Sequence, residues 1–597
     1  MPDSPDKTSD GQLSFKIFSE GEEIKSVFGL VSFTIRKEVN RIGKALLIFE
    51  AGDMPKEEIP ESDSDVFAPG KKIAVHAGYK PGSEEPIFEG IVISHQLRIQ
   101  GENESTLHVD CRDYAYLTTQ IKKDELFKDK KDNEVISEIV GKYDSLSATV
   151  ETTSTKHKEL FQRACSDWDF ILSRAHSNGL IIVSEGKNIK IAKPQLKGEP
   201  VLKVSYGWDL IEFDGKLSAS GQISKVKVQA WDIKTQQLKT VESKMPELNK
   251  QGNATISKLA DSLDNTIETI STIGYMDEAE LQAMADSQLL KNGLSMITGT
   301  CKFYGNAKAV PGKLLQLEGL GERFNGNAFI GSVEHEFNED GWFTTVGMGM
   351  TAGNITEKPD VTLPPAAGLL PGIQGLYIGK VTQIDKDPDG EYKIQVKIPF
   401  LNPSCDTVWA RLGSLRASNS FGSFCIPDID DEVILGFFNN DPRFPVILGS
   451  LYSSKQKPPY EIEAANKISA FVSKSKLKIE FEEEKKIITF STPGGNKIML
   501  NDDAKGITLE DQHQNKIVMN DTGILIDSTK ALTFKAKGDV SIDAGANANI
   551  KAKSNISAQG VNVDLKADAA LTAKGSAKAE LSASGQTVIK GAMVMIN

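Results

Sequence analysis

From Ile524 onward the hydrophobic positions follow an eight-residue cycle, in which one apolar residue is followed by another two positions later. Because side chains alternate between the two faces of a strand, this spacing predicts short β-strands whose paired apolar residues share a face. Turn-forming residues such as Gly538-Asp539 stand between the pairs and can take the backbone angles of a corner. The pairs are Ile524/Ile526, Leu532/Phe534, Val540/Ile542, Ala548/Ile550, Ile556/Ala558 and, after a one-residue slip, Val563/Leu565, Leu571/Ala573, Ala579/Leu581 and Thr587/Ile589.

A single chain wound in this way buries only about two small residues per cycle, which cannot offset roughly 1–2 kcal/mol of backbone entropy lost per ordered residue. We therefore expect several identical chains to wind together, with the paired residues facing a common axis and the intervening residues facing water. Leu525 is an exception to this alternation. The Lys/Ala/Ser/Gly composition suggests a disordered tail as the alternative, but all ten positions of the first five pairs are apolar in a chain that is 39% apolar.

The N-terminal half contains two strand-rich sections, at about 11–115 and about 200–350. Each section predicts a β-barrel or sandwich. Apolar spacing predicts helices at 133–142, 158–177 and 277–292, and the stretch 235–275 is interpreted as a polar insert. If the two sections are structural repeats, an oligomer of n chains presents 2n similar surfaces and can match a partner of twice its symmetry.

Runs rich in proline and glycine mark the boundaries of the predicted domains in the second half of the chain. The run 363–372 predicts a linker, and five short strands in 373–452 predict an OB-type barrel. A second linker, 453–465, leads to the segment 466–597, which we interpret as an intertwined β-prism. The predicted fold is therefore mainly β, with a pair of barrels and helical insertions over 11–362, then the OB-type barrel, then the prism.

Composition limits which binding partners the protein can have and in which cell compartment it folds. The 597 residues contain 69 Lys and Arg against 82 Asp and Glu, and a net charge of −13 disfavours nucleic acid as a partner. Five scattered cysteines without CxxC spacing argue for reduced thiols and against zinc: Cys111, Cys165, Cys301, Cys405 and Cys425. The first ten residues lack the apolar stretch of a signal peptide, so we expect assembly in the cytoplasm and export by another route.

Three motifs resemble a known family. The segments Trp409-Ala410-Arg411, 426–437 and 440–452, the last beginning Asn-Asp-Pro-Arg-Phe-Pro, closely resemble the OB-domain signature of VgrG, the spike of type VI secretion systems. Residues 166–175, beginning Ser-Asp-Trp-Asp-Phe, are similar to the signature of that family's hub region, and Phe88-Glu89-Gly90 suits its first barrel. The resemblance covers roughly 11–597 and is sharpest at 375–452.

The resemblance implies a homotrimer in which a hub over 11–362 sits on a hexameric, Hcp-like tube protein and contacts baseplate components, while a needle points away from the tube. It also implies that the needle punctures a target membrane, carries effectors, and is ejected when a surrounding sheath contracts. The expected trimer core consists of Ile524, Ile526, Leu532, Phe534, Val540, Ile542, Ile550, Ile556, Val563, Leu565, Leu571 and Leu581. A PAAR-type tip protein is expected at Lys590, Gly591, Ala592, Met593, Val594, Met595, Ile596 and Asn597; the alternative is that these apolar residues only close the prism core.

Candidate chemistry is sparse, and we expect no catalytic, cofactor-binding or metal-binding residues. His335-Glu336 lacks the second histidine of an HExxH metalloprotease site, and Gly319-Leu320-Gly321 lacks the lysine of a phosphate-binding loop. The carboxylates Asp428, Asp430, Asp431 and Glu432 lack the spacing of an EF-hand and are interpreted as a solvated turn.

The leading hypothesis is a non-enzymatic, trimeric spike of a contractile injection apparatus. A spike of a phage-like extracellular injection particle is a close alternative within the same class. A cell-wall hydrolase delivered on a spike would need an additional domain with a carboxylate pair, and no room for one is evident between barrel and prism. A passive trimeric fibre or adhesin is the third class, against which the 350 hub-like N-terminal residues argue.

Overall fold

The computed structural model describes residues 3–5, 13–24, 28–101, 104–272, 274, 276–357, 364–399 and 407–596. The predicted boundary positions 11, 362 and 363, together with Cys405 and Asn597, lie outside these residues. The chain forms two compact units, Met1–Leu451 and Tyr452–Asn597.

The N-terminal strands follow a strict alternation of buried and outward residues. In the strand Lys44–Glu50, for example, Ala45, Leu47 and Phe49 are buried while Lys44 and Glu50 are exposed. The elements are β1 Ser14–Ser19, β2 Glu22–Glu23, β3 Leu30–Glu38, β4 Lys44–Glu50, α1 Pro60–Asp63, β5 Lys72–Gly78, β6 Glu85–Gln100 and β7 Glu104–Arg112. Their inward faces share one hydrophobic core that includes Phe33, Leu47, Val75 and Leu107.

A mixed module follows, with its own core around Ile136, Ile171 and Ile189. Its elements are β8 Lys122–Lys131, α2 Asp132–Val140, β9 Ser147–Val150, β10 Lys156–Ser166, α3 Asp167–Ser177, β11 Ile181–Glu185 and β12 Asn188–Ala192. The prediction of one helix over 158–177 is wrong in its first half, because β10 pairs antiparallel with β8 up to Ser166. A shift in register between Gln162 and Cys165 breaks the alternation there and gives the apolar residues a helix-like spacing.

The second strand-rich section contains two layers. Its elements are β13 Leu202–Ser205, β14 Glu212–Leu217, β15 Lys225–Asp232, β16 Gln237–Glu242, α4 Ile256–Asp261, β17 Ile267–Thr272, α5 Glu278–Leu294, β18 Ile297–Tyr304, β19 Leu314–Glu318, β20 Gly326–Asn338 and β21 Gly341–Met348. The stretch 235–275, expected as a polar insert, supplies β16 and β17 to either side of β15. This three-stranded sheet packs against α5 through Val226, Val228 and Leu289.

The two strand-rich sections join in one 13-stranded sheet, and Trp342 of β21 is buried in the hydrophobic core of the first section. The junction is the antiparallel pairing of β3 with β20, in which Lys37 lies opposite Val333. Sequence alternation predicts the strands on each side of this junction, but it does not predict which strands meet.

A closed five-stranded barrel ends the first unit, and it confirms the predicted OB-type domain. Its inward residues Val381, Val396 and Leu435 are fully buried. The elements are β22 Tyr377–Gln383, β23 Ile394–Lys397, β24 Thr407–Leu412, β25 Ala417–Ser418, β26 Phe421–Gly422, β27 Glu432–Phe437 and β28 Pro445–Ser450, and the barrel closes in the order β22-β23-β24-β28-β27.

The second unit begins as a seven-stranded antiparallel meander in which each strand pairs with the next one in sequence. Every strand is five residues long. The strands are β29 Ile468–Val472, β30 Lys478–Glu482, β31 Ile487–Ser491, β32 Lys497–Asn501, β33 Gly506–Glu510, β34 Lys516–Asn520 and β35 Gly523–Asp527. Together with the OB-type barrel, this sheet confirms a mainly β fold.

Candidate functional site

The meander β29–β35 carries two continuous rows of apolar side chains on one face. The register aligns residues across all seven strands; for instance, Ile498 lies opposite Leu509, which lies opposite Ile517. We call these two rows the apolar face. The first row is Phe471, Ile479, Phe490, Ile498, Leu509, Ile517 and Ile526, and the second is Phe481, Ile488, Leu500, Ile507, Met519 and Ile524.

The opposite face of the meander is mostly polar. Lys497, Glu510 and Lys516 follow one another in register along one row, and Asp527 ends it. Leu525 lies on this face opposite Val518, which explains why it departs from the alternation of the neighbouring pair positions. The sheet is therefore amphipathic, as a sheet that is covered on one side must be.

The apolar face is not covered within the chain. Phe471, in the edge strand β29, is 68% exposed, and Ile498 and Leu509, which lie in central strands, are 46% and 37% exposed. Contiguous exposed apolar surface of this extent is rare on a monomeric protein and marks a surface that another molecule covers.

Beyond β35 the backbone repeats the eight-residue cycle of the sequence. Extended runs are separated by bends at Thr529-Lys530, Lys537-Gly538, Gly545-Ala546, Lys553-Ser554, Val561, Asp568-Ala569, Ser576-Ala577, Ser584-Gly585 and Ala592. The interval from Val561 to Asp568 is one residue shorter than the others, at the place where the sequence slips. Each bend before Ala592 falls between two of the predicted apolar pairs, and the bend at Ala592 follows the last pair.

The described residues 528–596 form no strand within the single chain. A strand requires hydrogen bonds to a neighbour, and in an intertwined prism that neighbour belongs to another chain. Every side chain from 529 to 596 is accordingly exposed, including the predicted core residues Val540 and Leu571. Of the twelve predicted trimer-core residues, Ile524 and Ile526 lie on the apolar face of β35, and the other ten occupy pair positions in the extended runs.

Each extended run has a third residue on the same side as the pair, and the sequence interpretation missed it. Alternation places the residue two positions after each pair on the side of the pair. This residue is small in every cycle: Ser528, Ala536, Ala544, Ala552, Gly560, Ala567, Gly575, Ala583 and Gly591. Small side chains allow backbones to approach closely around an axis, and their eight-residue spacing was a signal present in the sequence.

The predicted tip residues lie at the end of this run. Met593, Val594, Met595 and Ile596 are exposed, and the backbone bends at Ala592. The expectation that a tip protein binds here stays a prediction.

The motif at 166–175 is a helix start with a buried polar network. Ser166 caps α3 by accepting a hydrogen bond from the Asp169 amide, and the buried carboxylate of Asp167 accepts bonds from Lys123 at 2.6 Å and Tyr143 at 2.6 Å. Burial opposes ionisation of Asp167, but these hydrogen bonds hold its pKa below the usual range. The motif therefore fixes α3 in the hub.

The arginine of the same motif closes a second network. Arg174 donates two hydrogen bonds to buried Asp132, at 2.6 and 3.1 Å, and His157 and Asn178 contact the same carboxylate. Burial opposes ionisation of Asp132, but the contacts with His157 and Arg174 hold its pKa below the usual range. Every group here faces a partner within the protein, which favours a structural role over catalysis.

The barrel signature is also structural. Arg443 donates to both carboxylate oxygens of buried Asp441, from Nε at 3.0 Å and from Nη2 at 2.7 Å. Asn439 and Asn440 adopt positive φ angles of 51° and 54°, so the motif forms a tight turn. The carboxylates after Ile426 form a second turn, in which the Asp428 amide donates to Asp431 at 2.8 Å.

The remaining candidate chemistry is structural as well. His335 lies in β20, buried, with Nδ1 3.0 Å from the Thr344 hydroxyl. Cys111, Cys165 and Cys301 are buried, and burial raises the pKa of the Cys301 thiol to about 12, so this thiol is unreactive.

Among the described residues, no group of three or more His, Cys, Asp or Glu is arranged to hold a metal ion. In the same part of the chain, no helix has the length and apolar character needed to cross a membrane.

Three family models cover most of the chain. The model described as the type VI secretion system/phage-baseplate injector OB domain matches residues 377–452, and the phage baseplate V C-terminal trimerisation domain matches 487–597. The Alg8 N-terminal domain matches 9–339, more than half of the chain. The chain belongs to the Alg8 N-terminal domain family and is a VgrG-like spike protein. The match to the trimerisation domain includes β31–β35 and the whole eight-residue repeat.

Curated VgrG proteins are similar in sequence to this chain over short segments. The spike is 41% identical to VgrG1a of Pseudomonas aeruginosa over 63 residues, which is 11% of this chain and 9% of that protein. It is 30% identical to VgrG5 of the same organism over 115 residues, or 18% of this chain and 15% of that protein. The matches thus span a small part of the length of these curated relatives.

Solved structures of tail proteins align at low similarity. A tail protein from Neisseria meningitidis aligns with a TM-score of 0.42 and 13% identity, over 59% of this chain and 99% of that chain. The E. coli c3393 protein, described as a component of the type VI secretion system, aligns with a TM-score of 0.38 and 13% identity, over 73% of this chain and all of that chain. Scores this low carry no argument about the spike.

Proposed function

We propose that this protein is the non-enzymatic, trimeric spike of a contractile injection apparatus of the type VI secretion kind. Three copies of the meander and of the eight-residue repeat form a rigid needle. The hub caps an Hcp-like tube and contacts the baseplate, and the needle punctures a target membrane when the sheath contracts. The assembly takes place in the cytoplasm, and contraction ejects the spike with its effectors.

The observation that carries this proposal is the apolar face, which continues into a regularly bent repeat. Seven strands place thirteen apolar residues on one side in register, and the next strands can form only with neighbours. Three such faces turned toward one axis cover each other and leave no sheet edge open, because every edge strand then meets a strand of the next chain. Strands that are hydrogen-bonded to a neighbouring strand on both sides give the needle the stiffness it needs to transmit force.

A tip protein of the PAAR type covers the end of the needle at 590–597. The support is chemical: Met593, Val594, Met595 and Ile596 are exposed and consecutive, and the last layer of a prism has no layer beyond it. If these residues only close the prism core, no partner is needed there.

The first experiment measures oligomeric state and shape. Purified full-length protein is expected to have the mass of a trimer by size-exclusion chromatography with light scattering, and negative-stain images are expected to show a three-fold head with a thin shaft. A monomer with an ordered C-terminal segment would refute the proposal.

The second experiment tests the tip. Met593→Asp and Met595→Asp together should abolish co-purification of a co-expressed PAAR-type protein while the trimer persists. The control carries Ser557→Asp and Ser582→Asp, which add the same charge at exposed positions of the repeat outside 590–597. Unchanged co-purification in the aspartate variant would remove the tip assignment.

A further inference from the structure

The eight-residue repeat beyond the meander, residues 528–597, has the opposite net charge to the rest of the chain. It contains nine Lys and five Asp and Glu, a net charge of +4. The whole chain carries −13, so residues 1–527 carry −17. Three copies of this part of the needle therefore carry +12, three times +4.

The lysines are concentrated at one position of the eight-residue cycle. The residue directly after each apolar pair faces away from the axis by alternation. Five of these nine positions are lysine, and we call them the lysine row: Lys535, Lys551, Lys566, Lys574 and Lys590. All five are exposed, as are the corner residues Lys537 and Lys553.

A row of cations that recurs along a shaft is not needed for trimer formation, because the axis is formed by the pair residues and the small residues beside them. It does present a repeated positive charge at a constant outward position. The chemistry that complements such a surface is a dense array of phosphates, and a bilayer with anionic headgroups is such an array.

We propose that the lysine row makes the needle a cationic shaft that binds the anionic phospholipid surface of a target membrane. This inference rests on the proposed spike function, since it takes the needle to be the part that meets the membrane. Lysine stems can lie along the interface while the ammonium groups reach the phosphates.

The experiment uses the full-length trimer and flotation with vesicles. One vesicle set is phosphatidylcholine alone and the other is phosphatidylcholine and phosphatidylglycerol in equal parts. The needle variant carries Lys→Gln at 535, 551, 566 and 574. The matched control carries Lys→Gln at the exposed hub lysines Lys80, Lys128, Lys158 and Lys234, and so it removes the same charge elsewhere.

Wild type and the hub variant are expected to bind the phosphatidylglycerol vesicles and not the neutral ones. The needle variant is expected to bind at least tenfold more weakly, since each lysine near an anionic surface contributes about fivefold. Binding should disappear near 1 M salt, where the Debye length is about 3 Å.

Several results would overturn the inference: equal binding to both vesicle sets, equal loss in both variants, or full binding by the needle variant. Binding of wild type to an acidic protein but not to the vesicles would overturn it as well. Light scattering on the same samples keeps the two proposals apart. An intact trimer that ignores phosphatidylglycerol refutes the lipid assignment alone, whereas a wild type that is not a trimer refutes the spike.

Discussion

Leu509→Asp is the substitution that most directly probes the apolar face. Leu509 lies in β33, between Ile498 and Ile517 in the same row, and it keeps 37% of its surface exposed in the single chain. In the proposed trimer, we expect this remaining surface to be covered by the other two copies. The adjacent residue Thr508 points to the opposite, polar face and provides a matched control in the same strand.

The loss of trimer stability expected for Leu509→Asp follows from how much of this side chain the trimer would bury. Burying a whole leucine is worth about 1.5–3 kcal/mol, so covering the remaining third of Leu509 contributes roughly 1 kcal/mol per chain. A carboxylate at this position adds a desolvation penalty of several kcal/mol in each chain. Three copies thus cost on the order of 10 kcal/mol, enough to abolish a trimer at micromolar concentration. Thr508→Asp should cost at most about 1 kcal/mol per chain through strand propensity.

The assay is size-exclusion chromatography with light scattering, followed by thermal unfolding monitored by circular dichroism. We expect Leu509→Asp to be monomeric or aggregated and Thr508→Asp to be trimeric. Leu509→Ala, which adds no charge, should remain trimeric with a lower unfolding midpoint. If Leu509→Asp and Thr508→Asp give the same mass and the same midpoint, the apolar face is not the buried face and the reasoning fails.

Four further predictions concern the repeat, the hub network and the N-terminal sheet. Val540→Asp should prevent trimer assembly because it places three charges around one axis, whereas Ser541→Asp should be tolerated; an SDS-resistant trimer of the former would contradict the prism at that layer. Arg174→Ala leaves buried Asp132 without its bidentate partner and should destabilise the hub by about 3–5 kcal/mol in calorimetry, and an unfolding midpoint equal to wild type would count against the network. The lowered pKa of Asp132 also predicts how the stability of the protein depends on pH. The ionised carboxylate contributes its full stabilisation above the ordinary carboxyl pKa, and this stabilisation is lost as the pH falls toward the lower pKa of the folded protein. In denaturant titrations, wild type should therefore lose more free energy of unfolding between pH 5 and pH 3 than Asp132→Asn does. Gly90→Ala would place its Cβ 2.1 Å from a backbone carbonyl of the neighbouring strand, so we expect a loss of roughly 1–3 kcal/mol in chemical unfolding, and wild-type stability would show that the strands can separate there.

Local alternation explains why most strands could be predicted and why one could not. The alternation of Val226, Val228 and Ala230 with polar residues predicts a strand over Lys225–Asp232, and these are the observed limits of β15. Strand β10 was mistaken for a helix, because Ala164 takes a positive φ of 48° within a bulge and shifts the apolar residues by one position. A bulge changes the period over only a few residues, and the sequence alone does not mark it.

The apolar face is a second feature that the sequence alone does not reveal, because it extends over seven strands. The apolar spacing predicts hairpin-like strands at 477–481 and 487–491, but only the observed register aligns Phe490 with Ile498 and makes one continuous face. The signal was present as a repeat of two strands: β31 and β33 begin 19 residues apart, at 487 and 506, as do β32 and β34, at 497 and 516.

The sequence by itself determined the eight-residue cycle, its slip, the OB-type barrel and the family, because each of these is written in the spacing of nearby residues. Tertiary structure alone decided that β3 meets β20, that 235–275 completes a sheet on β15, and that Leu525 belongs to the polar face of the meander. The physical reason is that side-chain alternation is a local property of an extended backbone, whereas the choice of neighbouring strand depends on contacts between residues far apart in the chain.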